Sequence, residues 1–258
     1  MIRAAAIVIV LFLSPAAEAA EWGDLSLRIV YDSDKLPVPK PIAAAAGVAF
    51  CGGLAGLKTD DLLVNPKDRG VANVFVYLFE DAGRFAVHPD YARSQKKEAV
   101  MANKGCVFEP KALTMQLGQT FVGTNPDPVG HNMKLDSFDN VSFNLAIGAG
   151  GKITNTFKLP EITPLKVTCT SHQWMAGLVL VRDDPYAAVS DASGKVKLAN
   201  LPAGKWNFRI WHERCGFVNK ATLSGKAADW PRGRIQWEIK PGPNDLGDIL
   251  VKPAMFKE

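Results

Sequence analysis

Apolar and polar residues alternate in short stretches along most of this chain, which predicts β-strands. Residues 25–29 and 113–117 follow that period of two, and residues 74–79 form a β-branched and aromatic run. Residues 120–122, 166–168 and 178–181 add further short strands. Turn-forming residues separate these stretches at short intervals, which is typical of sandwiches and barrels. We therefore predict an all-β fold.

The stretch that follows Asp184 predicts a β-hairpin. Residues 195–198 and 205–210 alternate in character, and turn-forming residues occupy 191–194 and 202–204 beside them. A strand, a tight turn and a second strand in direct succession are expected to pair with each other.

Composition excludes some classes of function. The 258 residues carry a net charge of +4, and the lysines and arginines do not form a block. Nucleic-acid binders concentrate positive charge on one face, so we do not expect a DNA or RNA partner. No internal repeat is evident.

Residues 1–20 are typical of a secretory signal peptide. Arg3 precedes an apolar run at 4–13, and Ala17-Glu18-Ala19 offers small residues at the spacing of a cleavage site. The run is too short for a stable transmembrane helix, so we expect a periplasmic or secreted protein with no membrane span in the mature chain. An uncleaved membrane anchor is the alternative.

The segment Cys169-Thr-Ser-His-Gln-Trp-Met175 places three metal donors close together. Thiolate and thioether sulfur suit copper, and imidazole binds both of its oxidation states. One cysteine, two histidines and a weak methionine form the ligand set of blue-copper sites, and His131 is placed to be the second histidine. Zinc would favour more cysteines and does not use methionine, and a cysteine nucleophile would lack an oxyanion motif.

These residues resemble the cupredoxins, and among them the amicyanin type with its short Cys-x-x-His-x-x-Met loop. The matching features are Gly118-Gln119-Thr120, Asn125, His131-Asn132, the loop itself and Gly177. The resemblance covers residues 99–181 and implies one type 1 copper ion bound by His131, Cys169, His172 and Met175. It also implies that Asn132 ties the two ligand loops together. Amicyanin has proline where this chain has Gln173, so its reduction potential cannot be transferred.

The resemblance also implies an architecture. Residues 99–183 would be a cupredoxin Greek-key β-sandwich. Residues 21–98 and 184–258 resemble the two parts of a carboxypeptidase-regulatory-like sandwich into which the cupredoxin is inserted; the alternative is a single tail domain. Exported cupredoxin-like proteins have cysteines similar to Cys51 and Cys106. We favour that pair as a disulfide, although four cysteines allow other pairings.

A blue-copper protein of this kind passes single electrons between redox proteins and is not itself an enzyme. The resemblance implies that His172 reaches the surface and that a cytochrome or dehydrogenase docks there. The residues expected around it are Pro128, Val129, Met133, Trp174 and Ala176. Alternatives are a periplasmic copper carrier and a non-redox scaffold module. We expect structural roles for His88 and His212, since neither has a second ligand nearby in sequence.

Overall fold

The computed structural model describes residues 21–42, 49–54, 56–80, 85–94 and 96–257. The predicted signal peptide, residues 1–20, lies outside them. The described residues form strands with only two short α-helices, so the prediction of an all-β fold is confirmed. None of their helices is long and apolar enough to cross a membrane.

The elements follow one another in this order: β1 Trp22–Tyr31, α1 Ala49–Gly53, β2 Phe75–Leu78, α2 Pro89–Ser94, β3 Glu98–Lys104, β4 Val107–Glu109, β5 Ala112–Gln116, β6 Thr120–Thr124, β7 His131–Leu135, β8 Phe143–Ile147, β9 Lys152–Thr156, β10 Leu165–Thr168, β11 Ala176–Arg182, β12 Ala187–Val189, β13 Lys195–Pro202, β14 Gly204–His212, β15 Gly216–Phe217, β16 Lys220–Leu223, β17 Lys226–Asp229, β18 Arg234–Ile239 and β19 Gly242–Val251. Single turns of 3-10 helix lie at Pro231–Gly233 and Pro253–Met255.

The middle of the chain forms two sheets around one core. One sheet has the order β4-β3-β6-β9 and the other β5-β11-β10-β7-β8. Strand β3 shows why the sheets enclose a core: one of its two faces is buried, with Ala99, Met101 and Asn103 at alternate positions. The shared core includes Met101, Phe121, Met133 and Val179. Gly123 is required at one close approach, since a Cβ there would lie 2.5 Å from the Met133 sulfur.

The strands on either side of this middle section pair with each other. One sheet has the order β13-β1-β19-β16-β17, and the other has the order β12-β2-β14-β15 with β18 beside β14. The first strand, β1, runs parallel to the last, β19. Within the described residues, no strand of these two sheets forms a β-ladder with any of β3–β11. Such pairing is what an inserted middle domain predicts; the domain boundaries at 98/99 and 183/184 stay predictions.

The predicted hairpin of residues 195–198 and 205–210 is wrong. Strand β13 pairs with β1, whereas β14 lies between β2 and β18 in the other sheet. Both strands bury one face in the same core, Val196 and Leu198 from one sheet and Phe208 and Ile210 from the other. Alternation therefore located the strands, but burial against distant strands decided their partners.

Contacts between the two parts of the molecule are both apolar and charged. Phe75 and Tyr77 of β2 pack against Leu178 and Leu180 of β11. Nearby, the buried Lys111 ammonium lies 2.7 Å from the Asp60 carboxylate and 3.2 Å from that of Glu213.

Candidate metal centre

A tight loop joins β10 to β11 and carries the Cys-x-x-His-x-x-Met residues. The two strands are antiparallel, with Thr168 opposite Ala176, so residues 169–175 must turn back at once. The Met175 amide donates to the His172 carbonyl at 2.8 Å, and the Cys169 amide donates to the Met175 carbonyl at 3.4 Å. These bonds close the loop and draw its donor side chains together.

His131 reaches the same place from the neighbouring strand. Strand β7 pairs with β10 in antiparallel register, with Thr168 opposite Lys134. The beginning of β7 and the end of β10 therefore lie at the same end of the sheet. His131 is the first residue of β7, and Cys169 directly follows β10.

Three donor atoms converge in the buried space between these loops. The Nδ1 atoms of His131 and His172 are 2.9 Å apart, and the Cys169 Sγ lies 4.0 Å from the first and 3.6 Å from the second. Cys169 is only 1% exposed. The separate loops thus supply one thiol and two imidazole nitrogens to a single point.

Met175 and Asn132 complete the surroundings. Met175 is buried in the same core cluster as Cys169. The backbone N–H of Asn132 donates to the Cys169 Sγ at 3.5 Å. The Asn132 side-chain Oδ1 accepts from the Thr170 backbone amide at 2.8 Å and from the Thr170 hydroxyl at 3.0 Å. Asn132 therefore joins the beginning of β7 to the Cys169 loop.

Asp127 holds the far side of the His131 ring. Its Oδ2 lies 3.0 Å from the His131 Nε2, and its two oxygens accept the amides of Gly105 at 2.7 Å and Cys106 at 2.8 Å. An ionised carboxylate can only accept hydrogen bonds, so the Nε2 must donate. In the neutral ring this leaves the Nδ1 lone pair free to face Cys169 and His172.

The site shifts the pKa values of its three donors in different directions. Burial works against the thiolate, but hydrogen bonds from His131 and from backbone amides lower the pKa of Cys169 below its usual value. Burial also works against a charged His131, yet its hydrogen bonds to Cys169 and Asp127 raise its pKa. Burial and then the charge of His131 lower the pKa of His172. The arrangement favours a thiolate and a neutral His172, which are the forms that bind metals.

The prediction that His172 reaches the surface is wrong. His172 is 4% exposed, and Met133, expected beside it, is fully buried. The Trp174 ring lies 5.2 Å from the His172 ring, and its indole nitrogen donates to the Cys106 carbonyl at 3.0 Å. Cys106 forms a disulfide with Cys51, which confirms the favoured pairing. The disulfide brings a distant segment over this face, and no local pattern indicates such a contact.

The remaining histidines and the free thiol lie elsewhere. His88 stacks edge-on against Trp22, and the buried His212 accepts the Arg214 amide at 3.2 Å. Burial raises the pKa of Cys215 to about 11. Asp127 was missed from the sequence, although its place four residues before His131 could have suggested it.

The donor set fits a copper ion and fits zinc less well. A thiol, two imidazole nitrogens and a nearby thioether match the copper preference for soft and borderline ligands. Structural zinc sites use cysteine and histidine without methionine. Among the described residues a second group comprises Cys106, Asp127 and His131, but the disulfide withdraws the Cys106 sulfur from it.

No family model and no curated protein matches the sequence. Among solved structures, the chain is similar to a copper-containing nitrite reductase from Thermus scotoductus, with 22% identity over 40% of this chain and a TM-score of 0.31. The match spans only 24% of that reductase. A Cu(I) amicyanin mutant matches with 19% identity over 35% of this chain and 87% of its own length, with a TM-score of 0.30. A purple cupredoxin from Nitrosopumilus maritimus matches with 24% identity over 33% of this chain and 99% of its own, with a TM-score of 0.28.

Proposed function

We propose that this chain is an exported copper protein that carries single electrons between larger redox proteins. One copper ion would be held by His131, Cys169 and His172, with Met175 as a weaker donor. The observation that carries the proposal is the convergence of the two Nδ1 atoms and the Cys169 thiol.

The bound copper would supply a one-electron redox couple, and the protein residues would keep its surroundings constant. Asn132 and the backbone bonds of the 169–175 loop fix Cys169, and Asp127 fixes His131. Because Cys169, His131 and His172 are buried, water is excluded from the donors. A site held in this way rearranges little when its charge changes, which favours rapid electron transfer.

Electron transfer without catalysis is part of the proposal. Copper oxidases and nitrite reductases need further copper ions and therefore more histidines, and this chain has four in total. Two of those four are at the proposed site, and the other two have partners in the fold. We propose periplasmic or secreted localisation from the predicted signal peptide, with a redox partner of the cytochrome or dehydrogenase class.

The test is the visible absorption of the purified protein after loading with Cu²⁺. We expect an intense blue or purple colour from thiolate-to-copper charge transfer. Cys169→Ser should abolish that colour, and Cys215→Ser should retain it because Cys215 is remote from the site. Retained colour in the Cys169 variant would refute the ligand set. Met175→Leu should keep copper and raise the reduction potential, since a weak donor is lost.

One observation favours a second function, the binding of copper without electron traffic. His172 is covered, which would slow electron exchange with a large partner. A tight but colourless copper complex would support this carrier function and argue against the electron carrier.

A further inference from the structure

The two ends of a segment near the start of the chain are held together at residues 41 and 58. Pro41 and Lys58 form an isolated β-bridge, and the Ile42 amide donates to the Leu57 carbonyl at 3.0 Å. The Thr59 amide closes the neck further by donating to Lys40. We call the described residues beyond this neck, 49–54 and 56–57, the cap. The cap contains α1 and, within it, the fully buried Cys51.

The cap packs on residues of both proposed ligand loops. Its apolar residues Phe50, Leu54 and Leu57 gather around the Cys51–Cys106 disulfide. Val129, from the loop before His131, and Trp174, from the loop after His172, pack on the same disulfide. These are two of the apolar residues expected to surround an exposed His172, so the cap occupies the face where a partner would dock.

Cys106 connects the cap to both histidines through single intermediates. Its amide donates to Asp127, which holds His131, and its carbonyl accepts from Trp174, which stacks beside His172. The disulfide thus fixes the cap to the residue that contacts both sides of the site.

We propose that the cap is the occupant of the apolar face beside His172, and that its disulfide keeps the metal centre closed to large partners. The restriction of redox partners rests on the proposed function, whereas the covering of this face by the cap does not require copper. The cap limits the approach to His172 and so selects a partner that docks over the cap or displaces it.

The first test uses copper-free protein and the alkylation rate of Cys169 by iodoacetamide. The parent carries Cys215→Ala, so that Cys169 is its one free thiol. Adding Cys51→Ala and Cys106→Ala should raise the Cys169 rate by about tenfold or more, because labelling of a buried thiol follows the population of locally opened molecules, which loss of the disulfide would increase. An unchanged rate would overturn the proposal.

A matched control separates opening of the cap from general destabilisation. Arg182→Met, in the same Cys215→Ala parent, breaks a buried ion pair with Asp184 at the end of β11 opposite the 169–175 loop, and it should leave Cys169 labelling slow. Labelling of the cap variant should not depend on low concentrations of urea, because local opening exposes little surface. If the control is labelled as fast as the cap variant, global unfolding is the cause and the proposal fails.

A variant that keeps the disulfide decides the matter if the double alanine variant does not fold, as judged by circular dichroism. Phe50→Ala removes apolar contact from the cap alone and should raise the labelling rate several-fold. No increase in this folded variant would also overturn the proposal.

The second test uses copper-loaded protein and the electron self-exchange rate measured by NMR. Opening the cap should raise this rate on the order of tenfold. Absence of a blue or purple colour in the parent would refute the proposed function, while the alkylation result would still decide the cap. Colour with faster labelling but unchanged self-exchange would show that the cap does not control electron exchange.

Discussion

Two regions of this molecule bury histidine, and they differ in what surrounds the ring. Around His212, the charged neighbours pair with one another: Lys111 lies between Asp60 and Glu213, and Arg214 pairs with Asp61 at 2.7 Å. At the candidate metal centre, His131 and His172 turn their Nδ1 atoms toward each other and toward the Cys169 thiol. Burial of a histidine therefore does not by itself indicate function. Convergence of a thiol and two imidazole nitrogens on one buried point is what suggests a metal site.

The sharpest test of this contrast replaces one histidine from each region. His172→Ala should remove the visible charge-transfer band from its parent position and intensity, because a proposed ligand is lost while the Cys169 thiolate that gives rise to the band remains. His212→Ala should keep the band and lower the free energy of unfolding by about 2 kcal/mol or more, as expected for a buried side chain removed from a core. Copper titration followed by absorbance and urea unfolding measure the two effects. An unchanged band in the His172 variant would break the contrast.

Lys111→Met tests whether the charged cluster near His212 contributes to stability without affecting the candidate metal centre. It leaves the carboxylates of Asp60 and Glu213 without their shared cation, and burial already raises the pKa of Glu213. We expect a loss of roughly 3–5 kcal/mol in the free energy of unfolding, the usual cost of breaking a buried pair. The visible spectrum of the copper-loaded protein should not change. A shifted spectrum would show that the two regions are coupled.

The burial of His212 should make the free energy of unfolding depend on pH. Burial, and after it the charge of Lys111, lowers the pKa of His212 to about 4. As the pH falls from 6.5 toward 4, His212 becomes protonated in the unfolded chain but stays neutral in the folded protein. The free energy of unfolding therefore decreases in that pH range. The contribution is on the order of 3 kcal/mol. His212→Ala should show a flatter curve of unfolding free energy between these pH values, and an unaltered slope would contradict this assignment.

Asp127→Asn should give the smallest effect. The amide keeps the shape of the side chain but removes the charge that orients His131 and increases its basicity. We expect about 10–100-fold weaker Cu²⁺ binding with the colour retained, as for other groups that support a metal ligand. Competition with a chelator measures this affinity, and Asp139→Asn, at an exposed carboxylate, is the matched control. Equal loss in both variants would show a general effect of charge.

The sequence indicated the candidate site well because most of its residues are close together in the chain. Cys169, His172 and Met175 lie within one loop, so their chemistry is visible before any fold is known. His131 required the order of motifs in a resembling family. The structure supports this grouping because β7 and β10 are neighbours.

Contacts between distant residues were the part that sequence reasoning could not supply. Alternation located strands β13 and β14 but paired them wrongly, since each prefers a partner from another part of the chain. Cys51 reaches Cys106 through a disulfide over a separation of 55 residues, and Trp174, which lies beside His172, packs on that disulfide. No periodicity reports such a contact, because it is made by packing rather than by local conformation.

The parallel pairing of β1 with β19 has a consequence for how the molecule is assembled. Gly23 lies beside Gly242, so β1 has no lasting neighbour on that side until the last strand has been synthesised. Within the described residues, strands β3 to β11 form β-ladders only with one another and can assemble earlier, because nearby contacts form before distant ones. The strands that carry the candidate site would thus fold first, and the two flanking sheets would then form around them.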